Sequence, residues 1–119
     1  MRIKMKKIYY LKTCNTCVRI LKELKLSPDF LLQDIKSEEI TVSQLDHMKK
    51  LAGSYEALFS RRAKLYKEMG LKDQDLEEKD YKHYILEHYT FLNRPVIIID
   101  DQIFIGSSKK TIESVKAAM

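Results

Sequence analysis

The sequence predicts an α/β fold: a four-stranded mixed sheet with flanking helices and a helical insertion between a βαβ part and a ββα part. Three observations carry this expectation. The chain opens on a short strand pattern that switches to helical spacing near residue 15. It ends on two apolar runs separated by Asp100-Asp101 and followed by a further helical pattern. Between residues 41 and 89 the periodicity is helical throughout.

The elements follow in order. Residues 7–11 form a short β-rich run with two tyrosines and read as the first strand. From Asn15, the residues Cys17, Ile20, Leu21 and Leu24 recur at helical spacing, and the pattern stops before Ser27-Pro28. Phe30-Leu31-Leu32 reads as a second, buried strand running toward Gln33-Asp34. A strand, a short crossover helix and a strand make a right-handed unit with parallel strands.

Thr41 and Gln44 stand in capping-box spacing and open a helix through Leu45, Met48 and Leu51 that Gly53 closes. A second helix is expected over residues 55–69, with Gly70 as its stop. A third runs from residue 75 or 78 to 89, with Tyr81, Ile85 and Leu86 on one face. Pro95 then introduces Val96-Ile97-Ile98-Ile99, an uninterrupted apolar run that suits a central strand covered on both faces. Asp100-Asp101 is a two-residue turn, although Asp-Gly would suit a hairpin better. Ile103-Phe104-Ile105 returns, and Gly106-Ser107-Ser108 leads into a last helix with Ile112, Val115 and Met119. This order is that of the thioredoxin-like fold, here expected as one domain over residues 1–119.

Composition and charge narrow the function. No apolar stretch approaches the roughly 20 residues of a membrane span. The basic start (Arg2, Lys4, Lys6, Lys7) is followed by too short an apolar run for a secretion signal, and residues 1–4 read as lead-in to the first strand. The net charge of +5 is uneven: residues 1–25 carry eight Lys or Arg against the single acid Glu23, and the remainder is slightly acidic. Positive charge therefore gathers around the two cysteines, where it favours a thiolate or an anionic substrate. The basic residues do not line one recognition helix, so direct nucleic-acid binding is not expected, and without a long apolar stretch no membrane partner is expected either.

The chain has two cysteines, Cys14 and Cys17, three positions apart. A bridge between them closes too small a loop to staple a fold, so the pair reads as chemical, and the expected compartment is the cytoplasm. They sit at a strand-to-helix junction, where the first helical N–H groups lack partners and the helix dipole favours negative charge. Cys14 is therefore the expected nucleophile, with a depressed pKa, and Cys17 the expected resolving thiol. A zinc site would need two further ligands, and His83 and His88 are five apart, off the spacing that puts helical ligands on one face.

Three stretches resemble the glutaredoxin-type arsenate reductase (ArsC) family, with its Spx and YffB-like relatives. They are the Ile8-Tyr9-Tyr10-Leu11 strand with cysteine in the next turn, the Leu65-Tyr66-Lys67-Glu68-Met69-Gly70-Leu71 helix end, and Leu92-Asn93-Arg94-Pro95-Val96-Ile97. The resemblance spans nearly the whole chain. It implies that Cys14 attacks an oxyanion, that Arg94 binds the anion beside the thiolate, and that Pro95 is cis. It marks Asn15, Thr16, Arg61, Arg62 and Pro95 as substrate-contacting residues. It also implies no bound cofactor, with glutathione and glutaredoxin, or thioredoxin, as electron donor.

The family's further anion-binding arginines do not match. One position holds Ser60, beside Arg61 and Arg62, and the other falls in Gly106-Ser107-Ser108. Cys17 is a thiol that the single-cysteine reductases lack, and the CxxC form is similar to the Spx branch. Two functions are therefore expected to compete. One is a thiol-dependent reductase acting on an oxyanion or disulfide. The other is an Spx-like regulator that binds RNA polymerase and switches through a Cys14–Cys17 disulfide.

Overall fold

The computed structural model describes residues 5–119. The expected lead-in over residues 1–4, with Arg2 and Lys4 of the basic run, lies outside the described residues. The chain divides into two compact units, residues 5–39 with Arg94–Met119, and Ile40–Asn93. No helix among the described residues is long and apolar enough to cross a membrane.

The first unit holds the sheet. Its strands are β1 (Lys6–Tyr10), β2 (Leu31–Asp34), β3 (Val96–Ile99) and β4 (Gln102–Ile105), in the order β2-β1-β3-β4. β1 and β2 are parallel, and the other two pairings are antiparallel. β3 is flanked on both sides by strands, and all four of its residues are buried, as the continuous apolar run requires. The hairpin turn is two residues long, and Asp100 takes the left-handed conformation that aspartate tolerates (φ 55°).

Helices α1 (Asn15–Leu24) and α5 (Lys109–Ala118) pack on one face of this sheet. Ile20 and Leu24 of α1 and Ile112 and Val115 of α5 meet Ile8, Ile97 and Ile99 in one cluster. Lys25 ends α1 in the left-handed conformation, and Ser108 caps α5 by accepting from the Thr111 N–H. Met119, expected on the apolar side of α5, is exposed.

β2 corrects one expectation. Phe30 is buried, but Leu31 and Leu32 are 65% and 50% exposed, because β2 lies at the sheet edge with β1 as its one neighbour. The buried residue is Gln33, whose side-chain amide donates to the Glu38 carbonyl at 3.1 Å. An apolar run reports hydrophobicity, not the position of a strand within a sheet.

The second unit contains α2 (Val42–Ala52), α3 (Lys64–Glu68) and α4 (Glu78–Glu87). The Thr41–Gln44 capping box is present in both directions, and Gly53 ends α2 at φ 96°. The long helix expected over residues 55–69 does not form. A 3-10 turn at Glu56–Leu58 gives way to extended Phe59, and only the five-residue α3 follows. Phe59 bridges to Leu92, the Ser60 N–H donates to the Phe91 carbonyl at 2.7 Å, and the Asn93 N–H donates to the Leu58 carbonyl at 2.8 Å. Phe59 also stacks on Phe91, with ring centroids 5.3 Å apart. These long-range bonds replace the helical ones that local propensity favoured. α4 ends two residues earlier than expected, with His88 extended and a 3-10 turn at Tyr89–Phe91. The middle region is therefore not helical throughout.

The contrast between β3 and β2 is measurable. Ile97→Ala is expected to cost about 2–5 kcal/mol, and Leu31→Ser to stay within about 0.5 kcal/mol. Urea unfolding of both variants checks this, and a large loss from Leu31→Ser would mean that β2 is covered.

Candidate active site

β1 ends at Tyr10, and α1 begins five residues later. The Cys14 N–H donates to the Leu11 carbonyl at 3.0 Å, which closes the turn. The Cys14 carbonyl accepts the first helical bond, from the Val18 N–H at 3.1 Å. Cys14 is thus the N-cap residue, in extended conformation, where serine or aspartate usually stands.

The turn has a support that the sequence did not reveal. The Asp34 carboxylate, at the end of β2, accepts the Lys12 N–H at 3.0 Å and the Ser37 hydroxyl at 2.8 Å. The Lys12 N–H, and to a lesser degree the groups of Lys36 and Ser37, hold its pKa below the usual carboxylate value. Lys12 and Asp34 are 22 residues apart, and only the parallel β1–β2 pairing brings them together.

Both cysteines are free thiols, and their environments push them in opposite directions. Burial alone would raise the Cys14 pKa. The Cys17 N–H, the Cys17 thiol, the Thr16 N–H and finally the Arg94 charge together outweigh it, and the Cys14 thiol is more acidic than usual. No side-chain cap bond of ordinary geometry closes at Cys14, so these N–H groups act on the sulfur as loose donors. Cys17 is 1% exposed, and burial pushes its thiol up to about 11. The Leu11 N–H and Arg94 pull it down, while the neighbouring Cys14 sulfur pushes it further up.

The other expected site residues fall into two groups. Asn15 is exposed at the first position of α1, and Thr16 is half-buried and turns its N–H to Cys14. Arg94 is half-buried, and its bond to buried Pro95 is cis. The Pro95 carbonyl accepts the Gly106 N–H at 2.9 Å, which ties this loop to the one before α5. All of these lie in the first unit. Arg61 and Arg62 lie in the second unit, in a turn rather than on a helix. Arg61 pairs with Glu56 at 2.8 Å and donates to the Tyr81 hydroxyl at 3.0 Å, both through one terminal nitrogen of its guanidinium. Arg62 is exposed. Ser107 is exposed, and Ser108 is occupied as the α5 cap. Among the described residues, no three His, Cys, Asp or Glu side chains gather as a metal would require.

A strand–turn–helix that presents one acidic thiol at the helix start and one buried thiol a turn later, with an arginine charge acting on both, suits thiol chemistry. A model described as the ArsC family matches residues 9–115. The chain belongs to the ArsC family. An arsenate reductase from Vibrio cholerae has the same fold, at TM-score 0.77 and 19% identity over 98% of both chains. A putative ArsC family related protein from Bacteroides fragilis aligns at TM-score 0.76 and 18% identity, covering 97% of this chain and 99% of the other. By sequence, the global transcriptional regulator Spx 2 of Bacillus cereus is 24% identical over 110 residues, 88% of this chain and 82% of the relative. The ArsC chain thus has a thioredoxin-like fold, and its relatives include both reductases and regulators.

The split between the two thiols sets a pH dependence. Alkylation of Cys14 by iodoacetamide is expected to rise with pH, with a midpoint below that of an ordinary thiol. Cys17 should stay protonated until about 11. Arg94→Ala removes a charge that favours the thiolate, so the Cys14 midpoint should move up. Thiolate absorbance at 240 nm reads both, and an unchanged midpoint would show that Arg94 does not act on Cys14.

Proposed function

We propose that this ArsC-family chain is a thiol-dependent oxidoreductase whose first chemical step is attack by the Cys14 thiolate on a disulfide or an oxyanion. The observation that carries this reading is the opposite perturbation of the two thiols, Cys14 acidified at a helix start and Cys17 buried and held protonated. One thiol is the readier nucleophile, and the other is shielded from outside reagents.

On a disulfide, the Cys14 sulfur forms a bond to one substrate sulfur, and the other leaves as a thiolate that takes a proton. The negative charge on Cys14 is then gone. That charge is one of the causes that raise the Cys17 pKa, so forming the mixed disulfide makes Cys17 easier to deprotonate at the stage where it must react. Cys17 then attacks Cys14, releases the second substrate thiol and leaves a Cys14–Cys17 disulfide. Glutathione, glutaredoxin or thioredoxin is the donor class that returns the pair to dithiol, in a reducing compartment such as the cytoplasm.

A disulfide suits the site better than arsenate does. Arg94 offers one planar donor fork for an anion. The family's other arginine positions hold Ser60 and Gly106-Ser107-Ser108, and Arg61 is paired with Glu56. Regulation through RNA polymerase, with the same disulfide as its switch, is the second reading, favoured by the 24% identity to Spx 2.

Cys17→Ser should accumulate a mixed disulfide on Cys14 with a small disulfide substrate, seen by intact mass. Cys14→Ser should form none. Trapping in Cys14→Ser alone would reverse the two roles, and trapping in neither would remove the disulfide reading. Glutathione-coupled turnover with arsenate should be far slower than with a disulfide. Redox-dependent capture of RNA polymerase without any thiol turnover would favour the regulator.

A further inference from the structure

The first unit carries a feature that the thiol chemistry leaves unused. A cleft of about 310 Å³ runs between α1 and α5, with Arg19 and Glu23 on one wall and Lys109, Glu113 and Lys116 on the other. Its floor is apolar, made of the buried residues Ile20 and Ile112. Lys116 and Glu23 face each other at 3.7 Å and offset one another. Among the described residues, Arg19 and Lys109 have no carboxylate partner. Lys109 is also the first residue of α5, where the helix dipole adds positive potential. The exposed side of α1 continues this character with Lys22, and Lys12 stands in the turn before it.

We propose that this cleft receives a carboxylate side chain of the polypeptide whose disulfide Cys14 attacks, so that the protein selects acidic protein substrates over neutral ones. The inference rests on the thiol–disulfide reading above. Arg19 offers a planar fork and Lys109 a second cation, while the isoleucine floor suits the aliphatic stem of a glutamate. Glu113 limits the cleft to a single carboxylate, because a second would meet like charge. Arg19 lies five residues beyond Cys14, about 7.5 Å along the α1 axis and about 140° around it. Over a helix surface of about 5–6 Å radius that path is about 14–16 Å, which an extended substrate chain covers in four to five residues at about 3.3 Å each. The preferred substrate is therefore a cysteine disulfide with Asp or Glu four or five positions away.

The test uses short peptides whose cysteine is activated as a 2-pyridyl disulfide. Cys14 bonds to the peptide sulfur, and pyridine-2-thione leaves with a proton from solvent and is read at 343 nm. Three peptides carry Glu, Gln or Lys at the fourth position after cysteine. At low salt the Glu peptide should react roughly two- to fivefold faster than the Gln peptide, the range that exposed ion pairs supply, and 1 M NaCl should erase the difference. The double variant Arg19→Glu, Lys109→Glu should reverse the order, with the Lys peptide faster than the Gln peptide and the Glu peptide slower than both. Equal rates for all three peptides with wild-type protein would overturn the cleft proposal while leaving the thiol chemistry standing. Failure of every peptide, and of 2,2′-dipyridyl disulfide, to modify Cys14 would overturn the underlying reading and the proposal with it.

Discussion

The first N–H groups of α1 have no carbonyl to meet within their own helix, and the site is organised around where that unmet polarity goes. At an ordinary N-terminus it goes to a serine or aspartate oxygen. Here the cap position is Cys14, so the same polarity falls on a sulfur and favours its thiolate. The arrangement works only if the turn between β1 and α1 holds Cys14 in extended conformation. The Cys14–Leu11 backbone bond and the Asp34 carboxylate on Lys12 do that. Asp34 itself is placed by β2, so the reactivity of one thiol depends on the parallel pairing of two strands.

The second thiol follows from the first. Cys17 falls one turn later, on the side of α1 that faces the sheet, and α1 must bury that side to form the cluster with Ile8, Ile97 and Ile112. Burial holds Cys17 as a thiol and keeps it from external reagents. The asymmetry between the two thiols therefore comes from packing one amphipathic helix. Arg94 contributes little to this asymmetry, since its charge favours both thiolates.

Much of the fold could be read along the chain. The capping box at Thr41, the glycine stops at Gly53 and Gly70, the proline before β3 and the two-residue Asp100-Asp101 turn all appear where the sequence puts them. The expected helix over residues 55–69 failed for a definable reason. Phe59 and Ser60 pair their backbone with Phe91 and Leu92, about thirty positions later, and helical propensity carries no information about such a partner. The error reached the site. Arg61 and Arg62 fall within that expected helix, whereas they occupy a turn in which Arg61 is held by Glu56 and Tyr81.

By itself the sequence determined where the candidate site sits: a CxxC pair at a strand-to-helix junction and an Arg-Pro before a buried strand. Those signals depend on hydrogen bonds and periodicities only a few residues long, so a linear reading captures them. The tertiary structure alone decided how acidic each thiol is, that β2 lies at an exposed edge, that Asp34 supports the cysteine turn, and that α1 and α5 enclose a charged cleft. Each of these depends on burial or on a partner from a remote segment, and neither exists until the strands have paired.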